Sequence, residues 1–441
     1  MKKLHKTLIA AFIITGLVSY TFAEDEQTVI DLDIDTAVSY ALDTHIDIKR
    51  QSITLKQSER SYKHSWNNVL PSVSASAAAG DGAEFSSDQN MSLSTSISAS
   101  VNLSSGLGFT LKSLKASYES GKKDYEDTVR QVETAVRKSY YGLLYSKMQV
   151  ELYESNVNSY QTLYNQTEIK KSRGLVPELD LLTAQVNLEN AKITLKKSEV
   201  SYNASFIEFM TDIGIDLSKY KVNLTGSLDD AYDFANIKKL DIEEAVAESP
   251  DMRSLNDSLI AAKLTKNATV ASSYGPSLTL SSSVNPYGTS YSTQSSSSVK
   301  SDATWSVSAS VNFSLDNYIP GSSASDSIQK AKDTIQDLEL QIDNKQKTLM
   351  SDIISKLQNV EINKDNLDAL KLNVDLAKRT YDLTLDAYQK GTKDLTTLQS
   401  SLDSYQSTVL QWRSGEYDLI SDVLELENLL GVTSGSLIDK Q

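Results

Sequence analysis

Two segments of the chain alternate between apolar residues and small polar residues. In Met91–Leu103 the odd positions are apolar or threonine, and the even positions are serines and one asparagine. Trp305–Phe313 alternates in the same way, and Ser96–Ser104 matches Ser306–Ser314 at seven of nine positions. Successive side chains of a strand point to opposite faces of its sheet. The pattern therefore predicts two related strands, each with one apolar and one polar face.

A partner strand is predicted ahead of each of these segments, directly after a proline. The partners are Ser72–Ala79 and Ser277–Val284, in which apolar residues again alternate with serine. All four segments lack charged residues, and their lengths suit a tilted membrane strand of about 9–11 residues. The linking stretches Gly80–Asn90 and Asn285–Ala303 are rich in Ser, Gly, Asp and Tyr, which predicts surface loops.

The polar face favours a membrane strand over a strand of a soluble sandwich, which also alternates. A solvent-facing strand normally carries Lys, Glu or Thr, whereas these segments carry almost only Ser and Asn. Small neutral side chains suit a crowded aqueous lumen, and the opposite face suits lipid. We therefore predict that Ile97, Val101, Val307 and Val311 face lipid. Four strands are too few to close a barrel, so several copies of the chain must contribute strands to one barrel.

Heptad repeats predict two helices that are far longer than those of an ordinary domain. Apolar residues recur every seven positions in about Leu111–Arg173 and again in about Ser325–Lys390. At 1.5 Å per residue, each helix would be roughly 90–100 Å long, with coiled-coil packing. Each ends near a glycine, Gly174 or Gly391, where we predict a tight turn followed by a return helix.

The two halves of the chain repeat each other. The heptad positions of Val136–Tyr164 recur at a constant offset in Ile353–Tyr381, and the same offset relates the two turn glycines. Each half is predicted to contain a leading helix, two strands, a long helix and a return helix. The leading helices are predicted at Ile34–Asn67 and Ile242–Ser272.

The first residues predict secretion. Lysines precede an apolar run from Leu8, and Thr21-Phe22-Ala23 offers a cleavage site, which predicts a signal peptide at residues 1–23. Its removal would change the formal net charge from −15 to −18. A chain this acidic is a poor nucleic-acid binder. The remainder is predicted to divide into a first repeat (24–215), a polar and irregular crossover segment (216–239) and a second repeat (240–441).

The composition argues against chemistry at a metal or cofactor. The chain has no cysteine, which excludes disulfides, thiolate metal sites and cysteine nucleophiles. His5 lies in the predicted signal peptide, and neither His45 nor His64 has a second histidine at metal-ligand spacing. Acid–base catalysis needs placed histidines or carboxylates, and no such pattern is present. We predict no catalytic, cofactor-binding or metal site, and no enzyme activity.

The segment Gly174–Gln185 resembles the turn and return helix of the TolC-like outer-membrane efflux proteins. Asp33–Leu42 is similar to the first helix of that family, Leu70–Ser72 to its strand start, and Tyr388–Thr392 repeats the turn motif. The likeness covers essentially the whole mature sequence. It implies a membrane α+β fold, in which three chains of four strands form a twelve-stranded barrel in outer-membrane lipid. Helical hairpins would continue this barrel as a tunnel through the periplasm.

The resemblance also implies partners and a passive function. A periplasmic adaptor (a membrane fusion protein) and an inner-membrane transporter would deliver substrate to the homotrimer, as in tripartite efflux or type I secretion. The alternative is a periplasmic coiled-coil adaptor or a surface adhesin without channel activity. An adaptor should show one helical hairpin and a soluble β domain, whereas this sequence predicts two hairpins and charge-free strands.

In that family an acidic ring near the hairpin tips narrows the periplasmic mouth. The two family aspartates lie six and nine residues after the second turn glycine, where this chain has Thr397 and Ser400. In the first repeat, the first of these positions is Asp180. We predict that the constriction involves Asp180, Asp394 or Asp403. The alternative for each is a solvated charge on the coiled coil.

Overall fold

A computed structural model of the chain describes residues 28–83, 89–229, 234, 237–292 and 297–438. The predicted signal peptide lies outside the described residues. The strands belong to two separate sheets. In the larger sheet β2, β3 and β5 are antiparallel neighbours, and β6 and β7 both pair with β5. The strands are β1 (Thr28–Leu32), β2 (Ser72–Ala83), β3 (Gln89–Ser104), β4 (Tyr220–Leu224), β5 (Ser277–Ser292), β6 (Ser297–Ser301) and β7 (Thr304–Asn312).

The two hairpins of the larger sheet are longer than the sequence predicts. The β2–β3 pairing continues to Ala83 opposite Gln89, and the β5–β6 pairing continues to Ser292 opposite Ser297. The loop predictions for Gly80–Asn90 and for the second linking stretch are therefore wrong over most of their described length. Ladder hydrogen bonds join backbone groups, so serine- and glycine-rich chain can still extend a hairpin beyond its apolar part.

A proline accounts for the break between β6 and β7. Both strands pair with β5 in one continuous register, and residues 302 and 303 fall opposite Tyr287 and Pro286. Proline has no backbone N–H to donate to a neighbouring strand. On the other side of β5, the register with β3 shifts by one residue between Thr95 and Ile97. The same short segment of β5 therefore interrupts the ladder on both sides.

The two long helices have 66 and 67 residues, which corresponds to about 100 Å each. They are the predicted long helices, with starts close to the predicted ones. Within the described ranges, every helix is either too short or too polar to be a candidate membrane span. The helices are α1 (Ile34–Thr44), α2 (Ile46–Lys63), α3 (Leu107–Ser172), α4 (Glu178–Asp212), α5 (Ile242–Glu248), α6 (Pro250–Tyr274), α7 (Ser323–Gln389) and α8 (Leu395–Leu430).

Each leading helix is broken, whereas the sequence predicts two continuous helices. Pro250 opens α6, and the residue before it, Ser249, is extended at φ −61° and ψ 149°. Proline disfavours a helical residue before it, and the Ser249 hydroxyl accepts the Met252 N–H at 3.3 Å to start the new helix. In the first half, His45 separates α1 from α2 with an extended ψ of 134°. Its Nδ1 accepts the Asp47 N–H at 3.2 Å.

The crossover segment contains a strand that the sequence does not predict. Tyr220–Leu224 pairs in parallel with Thr28–Leu32, which precedes the whole first helical hairpin in the chain. These two strands lie against the middle of the long helices. The Tyr140 hydroxyl of α3 lies within hydrogen-bonding reach of two carbonyls, 2.8 Å from that of Leu32 and also close to that of Thr225. Burial raises the pKa of Tyr140 to about 12, so it remains a neutral donor.

The helices α4, α3, α8 and α7 lie side by side in that order. Helix α3 contacts α4 and α8, and α8 contacts α7. The largest apolar core surrounds Tyr140 and combines residues of α1, α3, α4, α7, α8 and both short strands. A second core joins α3, α4, α7 and α8 close to the turns at Gly174 and Gly391. The four long helices therefore form a layer, with α4 and α7 at its two edges.

Tyr140→Phe should destabilise the middle of the molecule, because the carbonyl of the partly buried Thr225 loses a donor. We expect the free energy of unfolding to fall by about 1–3 kcal/mol at neutral pH. Thermal unfolding of the detergent-solubilised protein would measure the change. Tyr153→Phe on the same helix is the control, since no hydrogen bond of its hydroxyl is found within the described residues. Equal unfolding temperatures for the two variants would contradict a special role for Tyr140.

Candidate constriction and lipid-facing surface

Each long helix ends at a glycine in the left-handed conformation. Gly174 has φ +71°, its N–H donates to the Lys171 carbonyl at 2.8 Å, and the next N–H donates to the Lys170 carbonyl at 2.9 Å. Gly391 has φ +77° and repeats both hydrogen bonds with Tyr388 and Ala387. This pair of bonds is the Schellman motif, which needs a positive φ that glycine adopts without strain. The duplicated glycines thus produce two hairpins with the same turn.

Asp394 begins the return helix of the second hairpin. Its carboxylate accepts the Thr397 N–H at 2.7 Å, and its backbone is extended, as expected at an N-cap. The hydrogen bonds from Thr397 lower the pKa of Asp394 below its ordinary value. The stabilising effect of this cap is therefore present above the pKa of the unfolded chain, and it is lost as the pH falls through the pKa of the folded protein.

The other two predicted acidic residues lie at different levels of the hairpins. Asp180 is in the first turn of α4 and is partly buried. Asp403 lies nine positions after Asp394 on α8, about 13 Å farther along the helix axis. Within one chain, Asp180 lies on a different hairpin from Asp394 and Asp403. Asp394 and Asp403 lie at different heights along the second hairpin. The assignment of these three carboxylates to one constriction remains a prediction.

Asp403 links the two hairpins. The buried Tyr160 hydroxyl of α3 donates to the Asp403 carboxylate of α8 at 2.6 Å. Burial, followed by the hydrogen bond to Asp403 and the negative charge of that carboxylate, raises the pKa of Tyr160 well above its ordinary value. The hydroxyl therefore stays protonated and serves as a permanent donor. The sequence pattern identifies Asp403 as a candidate, but it does not identify Tyr160 as its partner.

A lysine connects the hairpins nearer the turns. The Lys170 ammonium lies 3.7 Å from the centre of the Tyr388 ring and 3.3 Å from the Tyr388 carbonyl. The fully buried Thr167 hydroxyl lies 3.3 Å from the Tyr388 hydroxyl. Lys171 also forms an ion pair with Glu178 across the first turn at 3.2 Å. The tips therefore carry both signs of charge, which the sequence-based picture of an acidic ring did not include.

The larger sheet has one face of serine hydroxyls. Strand pairing places Ser100 opposite Ser281 and Ser98 opposite Ser283, so that the serines form rows across the sheet. Cross-strand hydroxyl pairs lie at 2.6–2.9 Å. We name this surface the serine face. Its two complete rows are Ser72, Ser100, Ser281 and Ser308, and Ser74, Ser98, Ser283 and Ser306.

The predicted lipid-facing residues lie together on the opposite face. Ile97 is 49 % exposed, Val307 70 % and Val311 59 %, while Val101 is partly exposed. Pairing places Ile97 opposite Val284, so that apolar residues neighbour one another across strands. Exposed apolar side chains on a continuous face need a partner or an apolar solvent. Among the described residues, no group of three or more His, Cys, Asp or Glu side chains could hold a metal ion.

Tyr160→Phe should loosen the contact between the hairpins while the ring remains packed. Water can replace the lost donor at the exposed Asp403, so we expect a cost of about 1 kcal/mol. Hydrogen exchange in the first three turns of α8 should then be about fivefold faster. Tyr164→Phe is the matched control, because Tyr164 packs against the same core one turn away. The same exchange rate in both variants would show that the hydroxyl of Tyr160 does not hold the hairpins together.

The whole architecture is shared with solved channel structures. The chain matches the CusC structure with a TM-score of 0.76 at 16 % identity, covering 94 % of this chain and 96 % of that one. It matches the Campylobacter jejuni CmeC outer membrane channel with a TM-score of 0.75 at 16 % identity, covering 98 % and 94 %. The open state of the Neisseria gonorrhoeae MtrE outer membrane channel matches with a TM-score of 0.72 at 18 % identity, covering 92 % and 90 %. At these identities the likeness establishes the fold.

The family follows from the sequence itself. No curated protein sequence matches the chain. The model of the outer membrane efflux protein family, however, matches residues 37–213 and 242–432, which are the two halves of the internal repeat and most of the chain. The chain therefore belongs to the outer membrane efflux protein family.

Proposed function

We propose that this protein is the outer-membrane channel of an export system and that three copies form the conducting unit. The observation that carries the proposal is the two-faced sheet. One face is a continuous array of serine hydroxyls, the other is exposed and apolar, and the sheet continues into helices about 100 Å long. Such a sheet suits a wall between water and lipid, and the helices are long enough to extend far from a bilayer.

The edges of the sheet support the assembly of several copies. Strand β2 pairs only with β3, and β7 pairs only with β5, so each leaves one side without a strand within the described residues. Unpaired amides and carbonyls each cost several kcal/mol in lipid. If β7 of one copy pairs with β2 of the next, a closed barrel removes both edges. Because β6 and β7 follow one register along β5, they count as a single interrupted strand. Each copy then contributes four strands, and three copies give twelve, which is the number implied by the likeness to the TolC-like proteins.

The proposed mechanism is passive conduction. The family consists of outer membrane efflux proteins, and we propose that substrate enters from an inner-membrane transporter through a periplasmic adaptor. The helices would form the periplasmic tunnel, and the sheet the passage through the outer membrane. Residues 24–215, 216–239 and 240–441 remain the proposed divisions of the mature chain. No bond is formed or broken in this mechanism, and the chain's role is to provide a wetted, enclosed path.

The three aspartates have proposed roles at the tunnel mouth. Asp180 lies in the first turn of one return helix and Asp394 caps the other, so a ring of three copies would bring six such carboxylates to the periplasmic end. A ring of negative charges at a constriction favours the passage of cations over anions. Asp403 is proposed as a link that holds the hairpins together, since its carboxylate already accepts the Tyr160 hydroxyl.

Channel activity can be tested directly on the purified protein. Reconstitution into planar lipid bilayers should give stepwise conductance, and the protein should need detergent to stay soluble. A periplasmic adaptor or an adhesin would remain soluble without detergent and would give no steps. A protein that is monomeric and soluble in plain buffer would rule out the channel.

Val307→Arg should hinder assembly, because it places a charge on the lipid face near the middle of the strand. The expected cost is about 2–4 kcal/mol per site near the bilayer midplane. Ser308→Arg is the control, since it introduces the same side chain at the next position, on the serine face. The measurement is the yield of heat-resistant oligomer on a gel. Equal yields from the two variants would contradict the assignment of the faces.

Asp180→Asn together with Asp394→Asn should reduce the preference of the channel for cations. The reversal potential in a salt gradient across a planar bilayer measures this preference. The control is Asp333→Asn together with Asp337→Asn, which removes the same charge from α7 about 80 Å from the turn. A reversal potential that changes equally in both double variants, or in neither, would remove these aspartates as determinants of selectivity.

A further inference from the structure

Two exposed apolar stripes run along the edge helices α4 and α7. Exposed valines, leucines and isoleucines usually occur singly on a helix surface, whereas here they recur at intervals of seven. The α4 stripe is 54–71 % exposed, and the three large residues of the α7 stripe are 55–63 % exposed. The α4 stripe is Leu179, Val186, Ile193, Val200 and Ile207, and the α7 stripe is Ile362, Ala369, Leu376 and Leu383.

The stripes face away from the apolar cores of the chain. On α4, the buried residues Ala184, Leu188 and Ala191 contact the core near the turns, and the stripe lies on a different side of the helix. On α7, Val360 and Leu367 are buried in the central core. Since α4 and α7 are the outermost of the four long helices, each stripe lies at an edge of the helical layer. A heptad stripe of this kind is the pattern by which one helix packs against another.

The contact between α3 and α8 shows the direction and the register in which two long helices of this chain pack. We name this contact the within-chain seam. It joins the two halves of the repeat and is antiparallel, with Lys138 bound to Glu425, Tyr145 stacked on Tyr417, and Tyr160 bonded to Asp403. In each pair the two residue numbers add to 562 or 563. One register therefore holds along the whole seam.

The internal repeat transfers this register to the edges. The constant offset between the two halves converts α3 positions into α7 positions, and the reverse offset converts α8 positions into α4 positions. The sum of the two residue numbers is therefore unchanged. In this register the two apolar stripes lie opposite each other, because the residue numbers of each facing pair also add to 562. The pairs are Leu179 with Leu383, Val186 with Leu376, Ile193 with Ala369, and Val200 with Ile362.

We propose that α4 of one copy packs antiparallel against α7 of a second copy in this register. We name this contact the between-copy seam. The occupant of each stripe is thus the complementary stripe of another copy of the chain. The inference rests on the proposed assembly for the presence of a second copy. It adds the register of the contact and the identity of the residues that face each other.

The two seams differ in chemistry although they share a register. The positions of Tyr160 and Asp403 correspond to Ala377 and Val186 in the between-copy seam. Likewise, the positions of Lys138 and Glu425 correspond to Ser355 and Glu208, which removes the ion pair. The between-copy seam is therefore mainly apolar, whereas the within-chain seam contains charged hydrogen bonds. Salt should weaken the exposed charges of the within-chain seam and leave apolar contacts between copies intact.

Disulfide cross-linking tests the register, because the natural chain has no cysteine that could interfere. In a chain with Val186→Cys and Leu376→Cys, the two thiols lie on opposite edge helices, so they can pair only between copies. Disulfides need Cα atoms about 4.4–6.8 Å apart. Mild oxidation of the assembled full-length protein should produce covalent dimers and trimers on a non-reducing gel, at least fivefold more than in the slipped control.

The slipped control combines Val186→Cys with Leu383→Cys, which moves one thiol by a heptad, or about 10 Å. Each single cysteine variant should give no cross-link. More cross-linking in the slipped pair, or none in either pair from protein with native circular dichroism, would overturn the proposed register. If a variant does not fold, Val200→Cys with Ile362→Cys tests the same register two heptads along the seam, and the same outcomes decide.

A charge placed in the stripe provides an independent measurement. Val186→Asp should shift the protein from oligomer to monomer in size-exclusion chromatography, whereas Gln185→Asp, exposed on another side of α4, should not. Equal elution of the two variants as oligomers would contradict the between-copy seam. In-register cross-links without bilayer conductance would keep the seam and reject the channel. Conductance with the slipped cross-link would keep the channel and reject the register.

Discussion

Backbone hydrogen bonding at the edges of the larger sheet is the constraint from which the proposed assembly follows. The pairs within one chain leave one side of β2 and one side of β7 without a strand among the described residues. In the proposed membrane location, neither water nor a loop could satisfy those groups, so another copy of the chain must do so. The helices face a related problem, since α4 and α7 each expose an apolar stripe at the edge of their layer. Both problems have the same solution, which is a ring of identical chains.

The internal repeat makes such a ring geometrically simple. One hairpin with its two strands leaves strand edges and apolar helix surface uncovered. The chain already joins two such units through β3–β5 pairing and the within-chain seam. Repeating the same step between chains needs no new type of contact, only residues that suit it. The chain nevertheless uses different residues at the two kinds of seam. Tyr160 and Asp403 bind across the within-chain seam, while valine and alanine occupy the corresponding positions between copies.

The acidic residues near the turns show how local structure limits a functional assignment. Asp394 is engaged as an N-cap and Asp403 as an acceptor for Tyr160, so both stabilise the folded hairpins whatever they do to ions. Lys170 lies over Tyr388 in the same region and contributes the opposite charge. A pattern of aspartates after a turn glycine could not reveal these partners. Tyr160 and Lys170 lie in the opposite half of the sequence from Asp403 and Tyr388, so only side-chain geometry identifies these two contacts.

The sequence alone determined the four alternating strand segments, the long helices, the turns and their duplication, because alternation, heptad spacing and glycine position act over short stretches of chain. The same local patterns did not predict the helix breaks at His45 and Ser249. The break at Ser249 could have been predicted, because Pro250 disfavours a helical residue before it. The local patterns also missed β4, whose partner β1 lies at the other end of the first repeat and whose pairing depends on backbone groups rather than side-chain pattern. Tertiary structure alone decided the order of the helices, the Tyr160–Asp403 link and which heptad stripes remain exposed. These features depend on which surfaces meet when distant segments pack, and no local pattern contains that information.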